Sequence, residues 1–388
     1  MVTPRSGTPE KWITIKGERK AGVVLAGRGN LLSAIDLSAS GYVRIENLEI
    51  TSDGGAPFRD GVEIVSEKRT VKSVVLKNLY IHHIDEISVN IGDVEGLAIE
   101  DCRFEHCGFG GIGGPKGGRG GVRHLKVKGS RLSYSGHYYR GKRGPSPYDR
   151  PDGFGIEESA GPVEIERTVS EHNRGDGIDS KASNTYIYEC LVANNSCDGV
   201  KLWGGGSRLE NTLIYGTGDG TGGASPWAGL VIETRESGAT FKVVNVTISD
   251  NPERKAYPLY VQYGEKAKVN LDFKNNIVYG GYAPAYFGDS VRLVCEHCLF
   301  CMKRQEAQVR ARGRDYSAKA IRSGYLGKGN KVSNPLFVKG AWGTEGDYHL
   351  RKGSPAIDSG SDKGVPLIDL DGGKRPRGKR WDIGAYEY

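Results

Sequence analysis

A short β-patterned unit recurs along most of this chain, and its spacing limits the fold more than any other feature. It reads VRIENLEI around Asn47, VVLKNLYI around Asn78 and LAIEDCRF around Asp101. It returns as VEIERTVS at Arg167, YIYECLVA at Glu189, RLENTLIY at Asn211, KVVNVTIS at Asn245 and DFKNNIVY at Asn275. Arg167, Glu189 and Asn211 follow one another at intervals of 22, and Asn78 and Asp101 are 23 apart. The interval of 34 between Asn211 and Asn245 holds one repeat plus an inserted loop. Apolar and polar residues alternate within each unit, which argues for strands. No segment of helical period separates them, which argues against alternating strand–helix units, and a propeller would need a period of about 40–45 residues. The pattern predicts an all-β solenoid, a right-handed parallel β-helix of about 22 residues per turn with inserted loops.

A solenoid also accommodates the length, since 388 residues would strain a single compact core. The 58 glycines suit a chain that turns every few residues. The β-helix is expected over residues 1–335, with a C-terminal segment, 336–388, packed on its last turns. No run of 18 apolar residues occurs, so no membrane-spanning helix is expected. The opening MVTPRSGTPE lacks the charged start and apolar stretch of a signal peptide. The net charge of +7 favours an anionic partner. The seven cysteines form no compact disulfide framework. Cys190 and Cys197 read as buried small hydrophobes, and Cys295, Cys298 and Cys301 read as structural despite a zinc-like spacing, because a closed zinc site needs four ligands.

The repeat allows side chains on successive turns to be placed over one another. DGFGIE (152–157), DGIDSK (176–181), DGVKLW (198–203) and AGLVIE (228–233) align, with Phe154, Ile156, Ile178, Val200, Leu202, Leu230 and Ile232 facing inward. Three outward columns follow: Asp152, Asp176, Asp198 and Ala228; Gly155, Asp179, Lys201 and Val231; Glu157, Lys181, Trp203 and Glu233. Column neighbours lie about 4.8 Å apart, the spacing of paired strands. Carboxylates stacked at that spacing repel one another unless a cation is recruited. Asp152, Asp176 and Asp179, completed by Asp198 or Glu157, are the candidate ligands for calcium. The alternative is that each Asp before Gly caps a turn. Lys181 and Lys201 flank the acidic column, either as ion-pair partners, such as Lys181 with Glu157, or as bases in proton abstraction, and Arg235 lies on the same face.

The repeat over residues 12–335 resembles the right-handed β-helix superfamily of extracellular carbohydrate-active proteins. The tail SPAIDSGSDKGVPLIDLDGGKRPRGKRWDIGAYEY (354–388) resembles the C-terminal segment common in bacterial members. At the site, Asp152, Asp176 and Asp179 resemble the calcium ligands of polysaccharide lyase family 9, which uses a lysine base; that family often carries a further Asp where Gly175 stands here. Lys181 before Asn184-Thr185 resembles, more distantly, family 6, whose arginine one turn later falls at Trp203. The resemblance implies a secreted or cell-surface lyase, pectate-like uronate substrates and calcium-assisted β-elimination; a monomer is expected. Asp176 and Asp198 also resemble part of the polygalacturonase family, glycoside hydrolase family 28, but Cys197 replaces one member of its catalytic pair and no His lies between His172 and His297. Hydrolysis and non-catalytic glycan binding therefore stand as alternatives.

The insertion RLSYSGHYYRGKRGPSPYDRP (131–151) offers Tyr138, Tyr139, Arg140, Lys142 and Arg143 to an acidic sugar, and a second insertion, 216–229, brings Trp227 toward the face that carries Glu233. No nucleic-acid motif accompanies these basic and aromatic residues, so nucleic acid is not an expected partner.

Overall fold

A computed structural model describes the chain except residues 19–21, 28–30, 53–56, 115–117, 219–226, 255, 304–305 and 341–345. The described residues form two units, one Met1–Thr185 and the other running from Tyr186 to Tyr388. Each is a parallel β-coil in which successive turns contribute one strand to each of three sheets.

In the first unit, the first sheet holds Ile13–Lys16, Val43–Glu46, Val71–Lys77, Val94–Glu100, Val122–Lys128 and Val163–Glu166. The second holds Val24–Gly27, Glu49–Ser52, Tyr80–Ile84, Arg103–Cys107, Arg131–Ser133 and Val169–Glu171. The third holds Ser33–Asp36, Asp60–Ile64, Ile87–Ile91, Gly110–Gly114, Phe154–Ser159 and Ile178–Ala182. The second unit repeats the scheme; its third sheet comprises Val200–Leu202, Ala228–Ile232, Tyr257–Val261, Ala285–Phe287 and Ala307–Ala311, closed by the antiparallel strand Arg314–Ser317. One five-residue helix follows, Ala318–Arg322, capped by Ser317. No helix among the described residues is long and apolar enough to cross a membrane.

The recurring polar position of the repeat has a conformational cause. Asn47, Asn78, Asp101, Arg167, Glu189, Asn211, Asn245 and Asn275 all have φ between 43° and 56°. This left-handed corner turns the chain from the first sheet into the second, and Asn and Asp adopt it most readily of the non-glycine residues. Within each unit the corner amides also stack: Asn78 Nδ2 donates to Asn47 Oδ1 at 2.8 Å, and Asn275 Nδ2 to Asn245 Oδ1 at 3.3 Å. The residues expected to face inward, Phe154, Ile156, Ile178, Val200, Leu202, Leu230 and Ile232, are all in the core.

The C-terminal segment lies along the second unit. Phe337, Tyr348, Leu350, Ala356 and Ile383 pack with Leu213, Tyr215, Ile277, Tyr279 and Leu299. Corner side chains bind its backbone: Asn211 Nδ2 donates to Ile368 O, Asn245 Nδ2 to Asp382 O and Gly384 O, and Asn275 Nδ2 to Ser361 O. None of the seven cysteines forms a disulfide, and burial pushes the Cys102 and Cys107 thiols up to about 12, which makes them inert.

Candidate functional site

In the first unit, Asp152 sits just ahead of the strand Phe154–Ser159, and Asp176 and Asp179 belong to the next turn. One carboxylate oxygen from each lies within 4.8 Å of the other two. The turns are locked by Asp176 N donating to Asp152 Oδ1 at 2.7 Å and Gly153 N donating to Asp176 O at 2.9 Å. Gly155 pairs with Asp179 across the sheet, as the column alignment predicts. A Cβ at Gly155 would stand 2.9 Å from Asp152 Oδ2, so the glycine leaves room for that carboxylate. At Gly175 a Cβ would meet Asp152 Oδ1 at 2.4 Å and the backbone carbons of Arg150 and Pro151 at 2.5 and 2.6 Å. A fourth aspartate at this position would force the Arg150–Pro151 backbone and Asp152 to shift. Calcium–oxygen bonds of about 2.3–2.6 Å let two ligand oxygens lie up to about 5 Å apart, so all three groups can reach one ion. An all-carboxylate donor set suits a hard cation. Among the described residues this is the one group of three or more His, Cys, Asp or Glu with such geometry; Cys295, Cys298 and Cys301 form none.

Lys181 flanks the group. Its Nζ lies 2.6 Å from Glu157 Oε1 and 3.9 Å from Asp179 Oδ2, with the side chain 30% exposed. Burial disfavours the ammonium, but Asp179, Glu157 and Asp152 outweigh it and hold the pKa above the ordinary lysine value. The strand carrying Glu157 is irregular between Ile156 and Ser159, where its register shifts.

Asp198 and Lys201 belong to the second unit and form a buried pair, Nζ to Oδ2 at 3.0 Å. Asp198 Oδ1 also accepts from the backbone N–H groups of Trp227 and Ala228. Its carboxylate thus caps the following turn and neutralises a lysine. Alternation places Lys201 outward, yet its side chain is only 3% exposed, because the Trp227 ring covers the ammonium at 4.5 Å from the ring centroid. Glu233 is buried and accepts from Gly264 N at 2.6 Å. Trp203 is half-buried beyond the strand Val200–Leu202. Arg235 points to solvent and pairs with Glu265 at 2.8 Å.

The 131–151 insertion is shorter than the sequence suggests, because Arg131–Ser133 is itself a strand of the second sheet. Tyr138–Tyr139 and Lys142–Arg143 form a small hairpin. Tyr138 is buried edge-on against His83 at 5.0 Å, so it is not available as a stacking surface. Tyr139 packs against Tyr148, with Arg140 over its ring at 5.2 Å, and Arg143 is exposed. Most of the second insertion lies outside the described residues. Sequence reasoning passed over a tyrosine group in the second unit, Tyr257, Tyr260, Tyr263 and Tyr286; the tyrosines at every third position of YPLYVQY were the available signal.

Two modules of Azotobacter vinelandii mannuronan C-5 epimerases share this architecture. The AlgE4 A-module aligns at a TM-score of 0.55 and 11% identity over 83% of this chain and 88% of its own. The AlgE6 A-module aligns at 0.50 and 13% over 80% and 88%. Pectate lyase Pel9A aligns over 100% of this chain and 82% of its own, at 14% identity and a TM-score of 0.49. At such identities the likeness is one of fold. No curated protein matches the sequence. The profile of the family described as "Right handed beta helix region" matches residues 13–216 and 120–290, more than half the chain. The chain belongs to the right-handed β-helix family.

Proposed function

We propose that this protein cleaves an acidic, uronate-containing polysaccharide by β-elimination, with calcium on Asp152, Asp176 and Asp179 and with Lys181 as the base. One juxtaposition carries the reading: three carboxylates able to share one ion, with the Lys181 ammonium 3.9 Å from one of them. Elimination begins by removing the proton α to the uronate carboxylate. Lys181 Nζ, having first given up its own proton to solvent, takes that proton as a neutral amine, and the C–H electron pair moves into the carboxylate as an enolate-like anion. The pair then forms the ring double bond as the glycosidic oxygen leaves at the neighbouring carbon. Glu157 and Asp179 hold Lys181 over the site. When bound, calcium supplies positive charge toward the developing anion and offsets the aspartate charges that keep Lys181 protonated.

Hydrolysis of polygalacturonase type loses support, because Asp198 is engaged by Lys201 and two backbone N–H groups. Acidic polysaccharides belong to cell walls and extracellular matrices, so the proposal includes action outside the cell or at its surface, by a monomer. Polygalacturonate, alginate and glycosaminoglycans are each to be incubated with the purified chain, following the ultraviolet absorbance of unsaturated uronate ends. Absorbance should rise on at least one substrate and stop on chelation. Lys181→Ala should lower kcat by at least about 100-fold. Reducing ends without absorbance, or an undiminished rate in Lys181→Ala, would contradict the reading.

A further inference from the structure

The third sheet of the second unit carries an outward column of bulky side chains. Lys201 pairs with Val231, Val231 with Tyr260, Tyr260 with Tyr286 and Tyr286 with Arg310. Tyr257 stands beside Ala228 in the same sheet. Tyr263, just past the strand end, folds back over the column, its ring 5.7 Å from Tyr257, 5.7 Å from Tyr260 and 5.2 Å from Tyr286. Trp227 extends the group, 6.1 Å from Tyr260.

The inward neighbours Leu259, Val261, Ala285 and Phe287 already fill the core, so the core does not require these rings. Tyr260 is buried under the group, while Tyr263 is 59% and Trp227 40% exposed. Five aromatic side chains, four of them with hydroxyls, thus gather on this face. Such rings offer an apolar surface and polar edges with few rotamers to freeze. A pyranose offers the complement, an apolar C–H face ringed by hydroxyls. Cations end the column: Lys201, paired with Asp198 and covered by Trp227, and Arg310, half-exposed and loosely paired with Asp315 at 3.8 Å.

We propose that this tyrosine face binds a uronate-containing glycan chain, with pyranose rings laid on Tyr263, Tyr286 and Trp227 and a sugar carboxylate on Arg310. The proposal rests on the reading that the protein acts on an acidic polysaccharide, and adds a surface that holds the polymer. It is tested on the full chain in the presence of chelator, so that turnover is absent. The probes are hexasaccharides of galacturonate and of mannuronate, with neutral mannohexaose for comparison, read by calorimetry and by tryptophan fluorescence.

At least one uronate hexasaccharide should bind. Tyr263→Ala and Tyr286→Ala should each weaken binding roughly three- to tenfold, and Tyr263→Phe should retain it. Arg310→Gln should remove the preference for the uronate over the neutral probe. Unchanged melting curves show that the variants fold. Binding indifferent to both tyrosine substitutions, or no binding of any probe, overturns the proposal. So does self-association of the wild type that Tyr263→Ala abolishes, which would make the face an interface between copies. Ring-dependent binding without cleavage of any polyuronate would sink the catalytic reading alone. Cleavage with ring-independent binding would sink this proposal alone.

Discussion

At Gly175 the backbone of Arg150 and Pro151 comes so near that any side chain must displace it. This sets the size of the acidic group: three carboxylates fit, and a fourth from this position would force that backbone to shift. Gly175→Ala should destabilise the protein by about 1–3 kcal/mol, as overpacking does. Chemical denaturation checks this, and a stability equal to wild type would show that the turn yields. The aspartates were legible in the sequence because Asp152 and Asp176 hold equivalent places on successive turns and Asp179 follows three residues later. The burial of Lys201 was not. Alternation assigns a side chain to a face, but only the tertiary position of Trp227, brought in by a long insertion, shows that the face is covered there. Tyr138 was misjudged for the same reason: its exposure depended on His83, more than 50 residues away in sequence.

Columns formed by successive turns are the elements of this fold, and they carry electrostatic consequences. At the C-terminal ends of second-sheet strands or just past them, His83, His106, Tyr134 and His172 all have φ between 52° and 58°. Their rings stack at 5.3, 4.8 and 5.2 Å. Burial, with the charges of His82, His106 and Arg143, lowers the His83 pKa to about 4. Burial likewise lowers that of His106. The unfolded chain binds protons at these sites near pH 6.5 and the folded chain does not, so stability rises with pH through this window. The contribution is complete above about pH 6.5 and is lost as pH falls toward 4. Melting temperature should therefore fall between pH 6.5 and 4 less steeply in His83→Asn, which keeps the left-handed corner, than in wild type. Equal slopes would exclude His83 as a source. The recurring polar position at Asn47, Asn78 and Asp101 was readable from spacing, whereas this ring stacking was not, since it required the register of turns carrying an insertion between Tyr134 and His172.

Across the whole molecule, each unit carries its own principal feature. In the second unit the C-terminal segment completes the hydrogen bonding of the corner column. Asn245→Gly removes two donations to that segment without straining the corner, and should cost about 2 kcal/mol. It should also expose the segment to limited proteolysis; an intact segment at unchanged stability would contradict this. In the first unit Asp152, Asp176 and Asp179 are proposed to form one cation site. Isothermal titration of the full chain with calcium tests it most directly, without recourse to any substrate. One calcium ion should bind per chain. Binding should disappear in Asp179→Asn, a change at a partly exposed position expected to leave the melting temperature in chelator unchanged. A wild-type chain that takes up no calcium, or an Asp179→Asn chain that binds it as tightly, would contradict the account.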